Sequence, residues 1–91
     1  CKDGFSMSVQ ANSTSYCNPR TSNADKYKEV EIGYPNRRED LLLEYAEDQT
    51  RPTDTVYAYV PTPIVTMVIA KHGGMVEGEL PAGIPYLRAE Q

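Results

Sequence analysis

The chain has no tryptophan, one phenylalanine, one histidine and two cysteines among its 91 residues. Each scarcity narrows the chemistry. A single His and two distant Cys lack the close paired spacing of a structural zinc site, so no metal is expected. Cys1 and Cys17 are fewer cysteines than a small disulfide scaffold carries, and they are expected as free thiols in a cytoplasmic setting. The alternative is an exported domain with a Cys1–Cys17 bridge, whose loop of about 15 residues is worth roughly 3 kcal/mol in the chain-entropy model. A start at Cys1 fits either a trimmed initiator Met or a cleaved leader. Long apolar runs are also missing. The longest, residues 64–70, is interrupted by Thr66 and falls far short of the roughly 20 residues that cross a membrane. Clustered positive charge is absent too: 9 basic residues face 13 acidic ones, the net charge is −4, and Arg37-Arg38 is followed at once by Glu39-Asp40. Nucleic-acid binding needs gathered cations to displace counterions, and is not expected.

What is present is one domain's worth of ordinary globular composition, 40% hydrophobic and 24% charged. Residues 1–91 are read as a single α+β domain. Phe5, Met7, Val9 and Ala11 alternate with polar residues, as a strand with one buried face requires. Residues 12–25 are rich in Ser, Thr, Asn and Pro and form a long loop. Alternation resumes over residues 27–34, with Val30 and Ile32 opposite Glu29 and Glu31, and Gly33-Tyr34-Pro35-Asn36 ends it. Asn36 as N-cap, with Glu39 three residues on, predicts a helix over residues 37–47 with Leu41, Leu42, Tyr45 and Ala46 on its apolar face.

Residues 55–60 alternate again, with Val56, Ala58 and Val60 against Tyr57 and Tyr59. Thr62 as N-cap, Pro63 at the first helical position and Gly73 as a left-handed C-terminal residue bracket a second helix. That helix is apolar nearly all round and must be covered on most sides, by the sheet and by either the tail or a second subunit. Residues 77–91 contain Pro81 and Pro85 and are read as an extended tail. The expected fold is therefore an antiparallel sheet of about three strands against two helices, in the order β-β-α-β-α.

No catalytic constellation stands out, and no cofactor is expected. His72-Gly73-Gly74 follows a helix, whereas a phosphate loop precedes one. The nearest approach to nucleophilic chemistry is Cys17 with Arg20 and His72, a thiol that a base and a cation would activate. The plainer reading makes His72 a helix-end cation and Cys17 an inert thiol. Seven tyrosines against one phenylalanine carry more information. Tyrosine suits surfaces where one end of the ring is dry and the hydroxyl is wet. Strict alternation puts Tyr57 and Tyr59 on one face of their strand. They, with Ile64, Met67 and Val68 of the apolar helix and Tyr86 and Leu87 of the tail, are the candidate contacts for a protein partner or a second copy.

Several strings resemble short proteins encoded by tailed bacteriophages and prophages. They are residues 3–10 (DGFSMSVQ), 16–20 (YCNPR), 30–35 (VEIGYP), 56–61 (VYAYVP) and 72–74 (HGG). The resemblance implies no activity. It implies a phage accessory protein in the cytoplasm of a bacterial host, inhibiting a host factor or serving assembly by protein–protein contact rather than catalysis.

Overall fold

The structure, a computed structural model, describes residues 1–13, 15–19, 21 and 26–89. Three antiparallel strands, β1 (Ser8–Gln10), β2 (Glu29–Gly33) and β3 (Val56–Pro61), form one sheet in the order β1-β2-β3. One α-helix, α1 (Thr62–Lys71), follows β3 directly. Val9 pairs with Ile32, and Ile32 with Tyr57, while Val30 pairs with Val60. Val30, Ile32, Tyr57 and Val60 are fully buried, as are Val65 and Val68 of α1, Phe5 and Leu42. Burying each such side chain contributes roughly 1.5–3 kcal/mol, and this shared interior holds sheet and helix together.

β1 is shorter than the alternation from Phe5 suggests, because Asn36 intercepts the chain before it. Asn36 N–H donates to Ser6 O, Ser6 N–H donates to Asn36 Oδ1, and the Asn36 amide donates to Gly4 O. One side chain thus stands in for a neighbouring strand. Asn36 is consequently not a helix cap, and the helix expected over residues 37–47 does not form. Those residues make a run of i→i+3 turns, of which only Leu43–Tyr45 is a 3-10 helix. Three long-range pulls explain it: Asn36 is engaged with residues 4–6, Glu39 is drawn toward the end of α1, and Glu47 N–H donates to Val56 O. An isolated 11-residue helix is marginal, so such bonds win.

α1 forms where the bracketing residues place it, with its first turn arranged differently. Pro61, not Thr62, is the N-cap, and Thr62 and Pro63 are the first and second helical residues. No hydroxyl cap is needed for Thr62 N–H, because it donates to Lys28 O at 3.0 Å. At the other end Gly73 sits at φ +88, its N–H bonding Ala70 O, while Gly74 N–H reaches Ile69 O. Those two bonds define a Schellman stop. The helix is not hidden all round: Val65, Val68 and Ile69 are buried, whereas Met67 is 51% exposed.

β3 changes phase halfway along. Val30↔Val60 and Ile32↔Tyr57 are two residues apart on β2 and three apart on β3, so Ala58 and Tyr59 together oppose Glu31. This is a β-bulge. Tyr59 absorbs it at φ +52, a left-handed backbone that side chains other than Gly seldom adopt. Tyr57 therefore points into the core and Tyr59 out of it. The tail crosses Tyr27, whose N–H donates to Ala82 O, buries Ile84, and returns to bond Met75 through Leu87 O and Ala89 N–H.

Candidate functional site

The only histidine draws the ionisable side chains into one cluster. As the C-cap residue of α1, His72 projects where the N-terminal segment and residues 36–42 meet, and its side chain is 11% exposed. Nδ1 lies 2.5 Å from Asp3 Oδ2 and Nε2 lies 2.7 Å from Glu39 Oε1. The ring stacks on Phe5, with centroids 4.1 Å apart and planes 11° from parallel. Glu39 is 1% exposed, and its other oxygen accepts from Lys71 Nζ and from Leu41 N–H, each at 2.9 Å. Arg37 pairs with Asp3 on the outer side.

The bond from His72, helped by Phe5 N–H and Arg37, holds the Asp3 carboxyl below its usual range. Burial pushes Glu39 upward, but the Leu41, Lys71 and His72 bonds outweigh it and leave that carboxyl lowered as well. Both carboxylates are thereby kept as anions around the ring. A ring nitrogen committed to a carboxylate is not available to a substrate, and among the described residues no hydroxyl or thiol is bonded to either one. The cluster ties the chain's first residues and the 36–42 turns to the end of α1.

A second feature lies on the opposite face of the sheet from α1. Tyr59 N–H donates to Tyr16 O at 3.0 Å, and Tyr16 N–H donates to Glu31 Oε1 at 3.3 Å. The two rings sit 6.1 Å apart and tilted by 46°, 38% and 43% exposed. Glu31 opposes the bulge and Glu29 shares its face of β2. Ala46 bridges to Tyr57, which brings Tyr45 alongside. Its phenol is raised by burial and by the charges of Glu44 and Glu29. Among the described residues, no cation pairs with Glu29, Glu31 or Glu44.

The sequence-derived candidates scatter. Tyr57 and Tyr59 do not share a face: Tyr57 is fully buried and donates to Pro52 O at 2.5 Å, so it cannot meet a partner. Val68 is buried and unavailable for the same reason, and Ile64 is half-buried. Met67, Tyr59, Tyr86 and Leu87 are exposed, with the Tyr86 hydroxyl bonded to the backbone of Leu80. Cys17 is buried and directs its thiol to Asn12 O and Pro19 O, while His72 is occupied by Asp3 and Glu39. Arg20 lies outside the described residues. Cys17 and His72 are therefore not brought into a hydrogen-bonded pair.

A cleft of about 170 Å³, lined by Cys1, Phe5, Met7, Ile69, Met75 and Leu80, opens beside Glu77 and Glu79, and is mostly apolar. Among the described residues, no three His, Cys, Asp or Glu side chains are placed to hold a metal ion. Sequence reasoning missed Tyr16 and Glu31 as neighbours of Tyr59. Their only advance signal was the exposed, acidic side of β2. No family model, no curated protein and no solved structure matches the chain.

Proposed function

We propose that this chain is a non-catalytic accessory protein of the tailed-phage type, acting in a bacterial cytoplasm by gripping another protein through the Tyr16–Tyr59 face. The observation that carries this reading is Tyr59 itself. An aromatic residue is held in a costly left-handed backbone, and what that conformation achieves is a ring turned out to solvent. Backbone strain of this kind costs about 1–3 kcal/mol and collects at functional positions. The ionisable residues favour the same conclusion, since the one histidine is consumed by structural bonds.

The test places a benzoylphenylalanine photo-cross-linker at position 59, and separately at the exposed position 76 just before the tail, in the full chain. Irradiation follows in bacterial lysate. A saturable adduct is expected from position 59 alone, competed by unlabelled wild-type chain and not by the Tyr59→Asn variant. An adduct of twice the chain's own mass would make the partner a second copy. No competable adduct from position 59 overturns the proposal.

A further inference from the structure

We propose that the free edge of β1 takes up a basic, extended segment of another protein as a fourth strand of the sheet. The site goes beyond the reading above, because Tyr59 belongs to β3, at the opposite edge of the sheet. The direction of the β1 backbone follows from its neighbours. Tyr34 N–H donates to Thr55 O and Ile32 pairs with Tyr57, so these two residues turn their backbone polar groups toward β3. Glu31 and Gly33 alternate with them and face β1, opposite Gln10 and Ser8. Ser6 agrees, since both its N–H and its C=O bond Asn36. Met7 and Val9 therefore turn their N–H and C=O groups away from the sheet. Among the described residues, no partner reaches those outward groups.

Apolar surface lies beside the same edge. The cleft of about 170 Å³ is lined by Phe5, Met7 and Val9 from the β1 segment and by Ile69, Met75 and Leu80 from the end of α1 and beyond. Met7 and Val9 are half-buried there, so one short stretch offers both a backbone edge and apolar contact. In an antiparallel pair, residues directly opposite one another carry their side chains on the same face. Two alternate residues of an added strand, set against Met7 and Val9, would thus turn their side chains to the cleft. Val76, 63% exposed, is not one of the lining residues, so the side chain at position 76 points out of it.

The rim selects the sign of the partner. Glu77 and Glu79 border the cleft, and among the described residues neither pairs with a cation. A second copy, related by a two-fold axis through β1, would bring its own acidic rim against this one, in a chain whose net charge is already −4. Like charge opposes that pairing. A segment with lysine or arginine flanking its apolar residues meets opposite charge instead. The main-chain edge, the apolar cleft and the acidic rim together fit strand addition by a basic peptide.

The probe is an acetylated, amidated Lys-Thr-Val-Thr-Leu-Thr-Lys peptide, titrated into the full chain and followed by two-dimensional NMR. Expected shifts centre on Met7, Val9 and residues 75–80. The Met7 and Val9 amides should gain at least fivefold protection from hydrogen exchange, while those of Ser8 and Gln10 stay as they were. Methylating the peptide's Val and Leu nitrogens, which face β1 when those side chains enter the cleft, should weaken binding at least tenfold. Methylating two Thr nitrogens, which face away, should weaken it less than threefold. Glu77→Gln with Glu79→Gln should weaken it at least fivefold. The charge-matched control, Glu44→Gln with Glu47→Gln beside β3, should change it less than twofold.

Equal weakening by the two methylated peptides would mean that no strand is added, and equal losses from the two double variants would mean bulk attraction to an acidic chain. Either overturns the proposal, as does failure of the unmodified peptide to bind. Met7 and Val9 amides that gain protection with rising chain concentration, and no peptide, would make the occupant a second copy and overturn it as well. None of these outcomes involves the position-59 adduct, so the two surfaces stand or fall separately.

Discussion

Replacing Glu39 by Gln probes the strongest polar linkage in the fold, and its cost can be worked from the geometry. Glu39 is 1% exposed and accepts three hydrogen bonds, from His72, Lys71 and Leu41 N–H. Glutamine keeps the shape, and its carbonyl oxygen can still serve Lys71 and Leu41 N–H, as Oε2 does in the carboxylate. Its amide nitrogen then replaces the charged oxygen that faces His72 Nε2. Hydrogen bonds to a charged partner are worth about 1.5–3 kcal/mol each. Lys71 is 52% exposed and can turn to water, so its share is discounted to below about 1 kcal/mol. His72 is nearly enclosed and keeps only Asp3. The expected loss for Glu39→Gln is therefore about 2–3 kcal/mol. A domain of this size holds roughly 5–14 kcal/mol in total. Urea unfolding at pH 7 followed by circular dichroism measures the loss, which should lower Tm by roughly 10–20 °C. Acid titration supplies a second reading. The folded Glu39 and Asp3 carboxyls both lie below their usual range, so the unfolded chain binds protons first. Their contribution is complete above the ordinary carboxyl values and drains away as pH falls from about 5. Glu39→Gln should flatten that slope. A loss under about 0.5 kcal/mol with an unchanged acid limb would refute the cluster as a structural tie.

Other outcomes follow from single contacts. Tyr57→Phe deletes the bond to Pro52 O and should cost about 1 kcal/mol in the same unfolding assay. Burial raises the Tyr57 phenol, so its stabilisation is intact below the ordinary phenol value and is lost as pH climbs through the raised one. In absorbance at 295 nm, one late-titrating phenol should disappear from the Tyr57→Phe profile. Gly74→Ala would place a Cβ 2.8 Å from Ala89 N and 2.9 Å from Arg88 C, at a backbone φ of +93. The Met75 and Ala89 amides should lose hydrogen-exchange protection while those of β2 keep theirs. Gly78→Ala, with open space at its Cβ, should leave the Met75 and Ala89 amides protected.

The parts of the fold legible in the sequence are those settled by neighbours along the chain. Val30 and Ile32 alternate with Glu29 and Glu31, and β2 forms there with the two aliphatics buried. Gly73 ends α1 because the stop needs a left-handed residue, which glycine supplies without strain. The failures came where distant partners decide. Asn36 and Glu39 look like a helix start, yet their side chains bond residues 4 and 6 on one side and 71 and 72 on the other. The V-Y-A-Y-V alternation of β3 gives no hint of a bulge, since no glycine marks it. The bulge lies where Tyr16 O takes the Tyr59 N–H, across 43 positions of sequence that periodicity does not see. His72 was legible as a residue at the end of a helix. Its carboxylate partners, 69 and 33 residues away, were not.

The proposed function depends on which tyrosine of β3 faces water, and mild iodination of the folded chain followed by peptide mass spectrometry reads that directly. Tyr59 is expected to be modified along with Tyr34 and Tyr86, while Tyr57 and Tyr27 stay protected until denaturant is added. Modification of Tyr57 in the folded chain, with Tyr59 spared, would place β3 in the opposite phase and contradict the surface on which the binding proposal stands.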